Sequence, residues 1–178
     1  SYKLCHQPQH QPRQAKKIAH HMSYAELHCI SNFTFLRGAS RPEELVNTAC
    51  ELGYQAIAIT DECSLAGVVK AHVKAKQLEK EGRHIKLIIG SEFKLPDSST
   101  LIALATNKSR YQELSAFITL CRKRSIKGEY QLLLNDLNIH LEHCLLIYVP
   151  GANKNPLTSP NTSQDVQLLL SHHENLWV

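Results

Sequence analysis

Residues 56–93 read AIAITDECSLAGVVKAHVKAKQLEKEGRHIKLIIGSEF, and the change of pattern inside this stretch decides the fold. Ala56-Ile57-Ala58-Ile59 is a short unbroken apolar run, as in a strand buried on both faces. From about Leu65 to Glu81 the apolar residues thin out to helical spacing, and Leu65, Val68, Val69 and Val73 are expected to face inward. Ile85 to Gly90 is a second apolar run that continues toward Leu95. Strand, helix and strand in succession imply two parallel strands joined by a right-handed crossover.

The alternation continues in both directions. Upstream, Ala25 to Ile30 reads as a strand. Ser40 then caps a helix with Pro42 and Glu43 in its first turn, Leu45, Val46, Ala49 and Cys50 on one face, and Gly53 just past its end. Downstream, Pro96-Asp97-Ser98-Ser99 makes a turn, and Leu101 to Ala105 returns as a strand. Asn107 caps a helix in which Tyr111, Leu114, Ile118 and Cys121 recur, and Arg122-Lys123-Arg124 reads as its solvated basic end rather than a DNA site. Cys144 to Val149 is a further strand. A polar loop over Pro150 to Ser163, a helix around Val166 to Leu170 and the opening of another strand at Leu176-Trp177-Val178 follow. The fold class is therefore α/β, an open sheet or a barrel, and a pattern that stops within a strand reads as a domain cut short at its C-terminal end.

With 178 residues, 43% apolar and 20% charged, the chain has the makings of one core that buries roughly 70% of the unfolded surface. Its longest apolar run, Cys144 to Val149, is far shorter than the ~20 residues of a membrane-spanning helix, and no secretory signal opens the sequence. A soluble protein with no membrane partner is expected. Six scattered cysteines without a CxxC pair indicate reduced thiols and a cytoplasmic setting. The net charge of +4 resides in Lys3, Arg13, Lys16 and Lys17, so the rest is balanced and gives no argument for nucleic-acid binding. Residues 1–23, rich in Gln, His and Pro, read as a disordered polar leader in which His6, His10, His20 and His21 are tail residues rather than a metal site. Met22, the sole methionine, stands where patterned sequence begins, the place of a natural start.

In α/β folds chemistry gathers at the carboxyl ends of strands. Those ends carry His28, Asp61, Glu62 and Glu92, an imidazole and carboxylates of the kind that hold a divalent metal and activate its water, although single acids at strand ends more often cap helices. No GxxxxGK[ST], GxGxxG or GxSxG element occurs, so Ser31, Ser64 and Ser91 gain no support as nucleophiles. His140, His143 and Cys144 in HLEHC read as a chance surface grouping, and His72 as a packed core histidine. Cys63, beside two acids, is expected to be a poor thiolate.

Four strings, YAELHCISNFTFLRGASRPEEL, LGYQAIAITDECSLAGVVKAH, IKLIIGSEF and LIALATNKSRYQELSAFITLCRKR, resemble the N-terminal polymerase-and-histidinol-phosphatase (PHP) domain of bacterial C-family DNA polymerases, above all its error-prone branch. The resemblance runs from Tyr24 to about Gly151 and weakly on to Trp177. It implies a partial, distorted (β/α) barrel over residues 24–178, with metal ligands at the strand ends. At the matching positions His28 and Glu92 are retained as vestigial ligands. Ile30, Arg37 and Glu62 stand in place of other family ligands, as does a residue near Thr100, and the rest of the ligand set lies beyond Val178. An aliphatic Ile30 cannot ligate, and Arg37 brings a fixed positive charge to where a cation would sit. Neither catalytic residues nor a cofactor are therefore expected in this chain, and Arg37 is expected to pair with Glu62, Glu92 or Asp61 instead.

For the parent protein the resemblance implies a DNA-directed DNA polymerase of replication, damage response and translesion synthesis, with Mg in a downstream core. Its substrates would be primer-template DNA and deoxynucleotides. Its partners would be the remaining polymerase domains, accessory mutagenesis proteins or a sliding clamp. This chain would then be a catalytically silent scaffold. The alternatives are a metal-dependent phosphoesterase or exonuclease using Zn or Mn, and an interaction module for accessory factors.

Overall fold

In the computed structural model, which describes residues 24–95, 98–151 and 175–177, six strands join one curled sheet in chain order. They are β1 (Ala25–Cys29), β2 (Ala56–Ile59), β3 (Lys86–Lys94), β4 (Thr100–Ala105), β5 (Leu145–Val149) and β6 (Leu176–Trp177). β1 to β3 pair in parallel, β4 lies antiparallel to both β3 and β5, and β6 is parallel to β5. β4 alone thus opposes the other five. Crossover helices enforce parallel pairing from β1 to β3. Between β3 and β4 the chain instead turns at once, the Ser98 N–H donating to the Leu95 carbonyl at 3.0 Å, and a direct reversal leaves only the antiparallel pairing. The leader expected over 1–23, most of the Pro150–Ser163 loop and the helix around 166–170 lie outside the described residues.

Among the described residues the helices are α1 (Pro42–Glu51), α2 (Val68–Lys80), α3 (Lys108–Lys123) and α4 (Leu134–His140). α1 is capped at Arg41 rather than Ser40: the Arg41 N–H donates to the Glu44 carboxylate at 2.8 Å, while the Ser40 carbonyl accepts from Asn32. α2 starts at Val68, three residues later than expected, and buries Val68, Ala71 and Leu78. Val69 and Val73, expected inside, are 70% and 61% exposed. At about 100° per residue, 68, 71, 75 and 78 form one stripe and place 69 and 73 on the opposite side. His72 is likewise exposed, not a core histidine. Asn107 does cap α3, accepting from the Arg110 N–H at 3.1 Å. The short α4 is not announced by the sequence pattern.

Strand alternation divides the core. Ile57 and Ile59 pack with Val46, Ala49, Ala71 and Leu78 beneath α1 and α2, whereas Ala58 turns to the other face with Ile102 and Leu104. A second layer joins α3 and α4 to β3, β4 and β5, centred on Phe93, whose ring meets Phe117 edge-on at 5.2 Å. Leu114, Leu137 and Leu146 complete it. Burying side chains of this size stabilises by roughly 1.5–3 kcal/mol each, which holds the strand ends rigidly in place.

Candidate functional site

Because β1, β2 and β3 run the same way, their carboxyl ends meet at one rim. The β1–β2 register slips by one residue between Glu26 and Cys29, a bulge beside His28 of the kind that re-aims side chains. His28 Nε2 lies 2.6 Å from Glu92 Oε2. Glu92 is fully buried on β3, and its other oxygen accepts from Arg37 Nη1. The same Nη1 lies 2.6 Å from Glu62 Oε2. Glu62 Oε1 in turn accepts from the Tyr130 hydroxyl at 2.8 Å, and that hydroxyl accepts from the Lys94 N–H at 2.8 Å. Two carboxylates thus share one guanidinium nitrogen, the pairing anticipated for Arg37. Burial by itself would raise the Glu92 pKa, but the His28 and Arg37 contacts outweigh it and hold the carboxyl below its ordinary value. Arg37 is correspondingly pushed up by its bond to Glu92.

Asp61 is engaged separately. Oδ1 accepts from the Ser31 N–H at 2.7 Å and the Thr34 hydroxyl at 2.8 Å, and Oδ2 from the Ser31 hydroxyl at 2.7 Å. These bonds fasten the 31–38 loop, which carries Arg37, onto the end of β2. The loop folds so tightly that a Cβ on Gly38 would overlap the Ser31 carbonyl. Behind the site Arg122, read from sequence as part of a solvated helix end, donates to the carbonyls of Cys63, Glu62, Gly128 and Glu129 and lies 5.4 Å from the Tyr130 ring centre. Tyr130 and Arg122 were not anticipated as site residues. The contacts that bring them to the site, Arg122 to Glu62 and Cys63 and Tyr130 to Glu62, span about sixty positions or more, and no local pattern announces them.

The remaining positions fall apart from this cluster. Ile30 is half-buried and supplies no donor atom. Thr100 opens β4, where its hydroxyl lies 2.6 Å from Lys94 Nζ. His140 packs near the Phe117 ring, His143 is exposed and Cys144 is buried against the Arg110 carbonyl, so HLEHC does not converge. Cys63 is raised as expected but for a different reason, its contact with Cys121 first and burial second, not the neighbouring acids. Burial likewise pushes the half-buried Cys29 and the buried Cys144 up to about 11, whereas buried Cys121 is lowered by its contact with Cys63.

The donor set does not fit a metal ion. Both Asp61 oxygens are taken by hydroxyls and an N–H, Glu62 and Glu92 face a guanidinium, and no group of three or more potential ligands converges among the described residues. The arrangement instead neutralises buried charge and ties three strand ends to one loop.

Residues 26–152 match the family model of the PHP domain. Over 132 residues the chain is 57% identical to the error-prone DNA polymerase of Teredinibacter turnerae, a match covering 74% of this chain and 12% of that protein. With the error-prone DNA polymerase of Saccharophagus degradans it shares 50% identity over 160 residues, 88% of this chain and 14% of the other. The chain spans about an eighth of the length of these curated relatives. Among solved structures, a protein assigned as a metal-dependent phosphoesterase from Bifidobacterium adolescentis aligns with a TM-score of 0.46 and 19% identity, over 68% of this chain and 44% of its own.

Proposed function

The chain belongs to the PHP-domain family, and from that premise we propose that it is the PHP portion of an error-prone DNA-directed DNA polymerase and serves there as a non-hydrolytic structural element. The observation that carries this reading is the sharing of Arg37 Nη1 between Glu62 and Glu92. A fixed guanidinium between two carboxylates supplies the positive charge that such a cluster requires, and it cannot bind or activate water as a metal does. In the whole polymerase, nucleotidyl transfer on primer-template DNA with deoxynucleotides and Mg belongs to regions outside this chain, in the cytoplasm, and the remaining polymerase domains and accessory mutagenesis factors are its partners.

The test is metal analysis of the purified chain after incubation with Zn²⁺ or Mn²⁺, followed by assays on a phosphate monoester and single-stranded DNA. Substoichiometric metal and no turnover are expected. Stoichiometric metal with hydrolysis abolished by His28→Ala or Glu92→Ala would overturn the reading and establish a phosphoesterase, the alternative favoured by the close approach of His28 and Glu92 at 2.6 Å.

A further inference from the structure

Two buried thiols that the rim network does not use meet in the core. Cys63 lies in the loop after β2 and Cys121 in the last turn of α3, and both are enclosed in the cluster around Phe93. Their side chains are hydrogen-bonded to each other. A buried cysteine is ordinarily inert, but these two join separate elements. Cys63 is held on both sides: its N–H donates to the Glu92 carbonyl at 2.9 Å, and its carbonyl accepts from Arg122 Nε at 3.3 Å and Nη2 at 3.2 Å. Arg122 directly follows Cys121, so the bonds that fix the Cys63 backbone also bring the second thiol up to it. Together they sustain a left-handed φ of 44° at Cys63, which a residue with a side chain seldom adopts unless its surroundings impose it. Cys144 belongs to the same core, but its Sγ faces the Arg110 carbonyl at 3.7 Å. The segment beside the pair is irregular. The Gln131 N–H donates to the Cys121 carbonyl at 3.1 Å, Tyr130 packs on the same core, and residues 126–129 are exposed. Opening that short stretch, without disturbing the sheet, admits a small solute.

We infer that Cys63 and Cys121 are a dithiol modification site that hydrogen peroxide converts to a disulfide. Cys121 supplies the attacking sulfur: its contact with Cys63, helped by the charge of Arg124, outweighs burial and holds its thiol below the ordinary value. The thiolate attacks one peroxide oxygen and the O–O bond breaks. The other oxygen leaves as hydroxide and takes up the proton that Cys121 released, giving water and a sulfenic acid at Cys121. The Cys63 sulfur then attacks the Cys121 sulfur, the S–O bond breaks, and a second water departs with the Cys63 proton. The two thiols lose two electrons in all, the peroxide gains them, and a dithiol reductant reverses the change. The bridge ties the last turn of α3 to the residue after Glu62, and so stiffens one side of the Arg37 pairing.

The test is peroxide treatment of the folded 178-residue chain, followed by alkylation of free thiols, digestion without reductant and mass spectrometry. Peptides linked through Cys63 and Cys121 are expected, forming about tenfold faster than any other cysteine pairing. Thermal melts of the oxidised chain should shift upward by several degrees, and dithiothreitol should reverse both effects. Cys121→Ser and Cys63→Ser should each abolish the link and the shift, whereas Cys144→Ser should leave both. The inference is overturned if both thiols remain free after treatment, if the link forms only in the urea-unfolded chain, or if Cys121 proceeds to sulfinic acid without a link. Cys144 as the partner of either sulfur would overturn it too. These readouts concern thiols and melting alone, so the inference stands or fails apart from the reading of the chain as a non-hydrolytic structural element.

Discussion

Arg37 is the residue on which the charge balance of the rim depends. Its side chain is 37% exposed while that of Glu92 is wholly buried, so the pair lies between the surface and interior regimes. Arg37→Ala should cost about 1–2 kcal/mol at neutral pH, less than a buried pair because solvent screens the exposed partner. The pH dependence follows from Glu92, whose folded pKa lies below its ordinary 4.5. A depressed carboxyl contributes stability above the unfolded value and loses it as pH falls through the folded one. Without Arg37 that depression shrinks or reverses, so the deficit of the variant relative to wild type should narrow between pH 7 and pH 4 in urea titrations. A constant deficit across that range would show that Arg37 acts through packing alone. At Gly38 the constraint is steric rather than electrostatic. Gly38→Ala forces a Cβ into the Ser31 carbonyl, and a loss of more than about 2 kcal/mol is expected in thermal melts.

Among the elements, α3 illustrates both what local sequence conveys and where it stops. Asn107→Ala should lower stability by about 1 kcal/mol through loss of the bond from the Arg110 N–H, a cap legible from residue type and position alone. At the other end of α3, Arg122→Lys should be costlier than a surface exchange. One ammonium cannot serve the carbonyls of residues 62, 63, 128 and 129 together, and the altered anchoring should appear as shifted amide resonances at Glu62 and Cys63. β2, β4 and the cap of α3 were readable because they depend on neighbours a few positions away. On α2 apolar identity does not mean burial: helical phase places Val68, Ala71 and Leu78 inside and Val69 and Val73 outside, against the expectation for the two valines. Tyr130 and Arg122 were invisible for the complementary reason, since their partners are set by tertiary contact. The pairing of Arg37 with acids is what the family resemblance implies, since it sets Arg37 at a ligand position among carboxylates, but its division between Glu62 and Glu92 needs coordinates.

At the scale of the whole molecule, protection should follow position in the sheet. β2 is buried throughout and β3 and β4 are paired on both sides, whereas β1 and the two-residue β6 stand at the margins. Hydrogen exchange read by mass spectrometry should therefore find amides of 56–59 and 100–105 slowest and those of 176–177 among the fastest described. Equal exchange at centre and margin would contradict this. The sheet order has a further consequence. The strands lie side by side from first to sixth without a skip, so every new strand emerging from a ribosome meets its lateral partner already laid down. Among the described strands none is inserted between two earlier ones, so the nascent polypeptide can zip them together in the order of its translation.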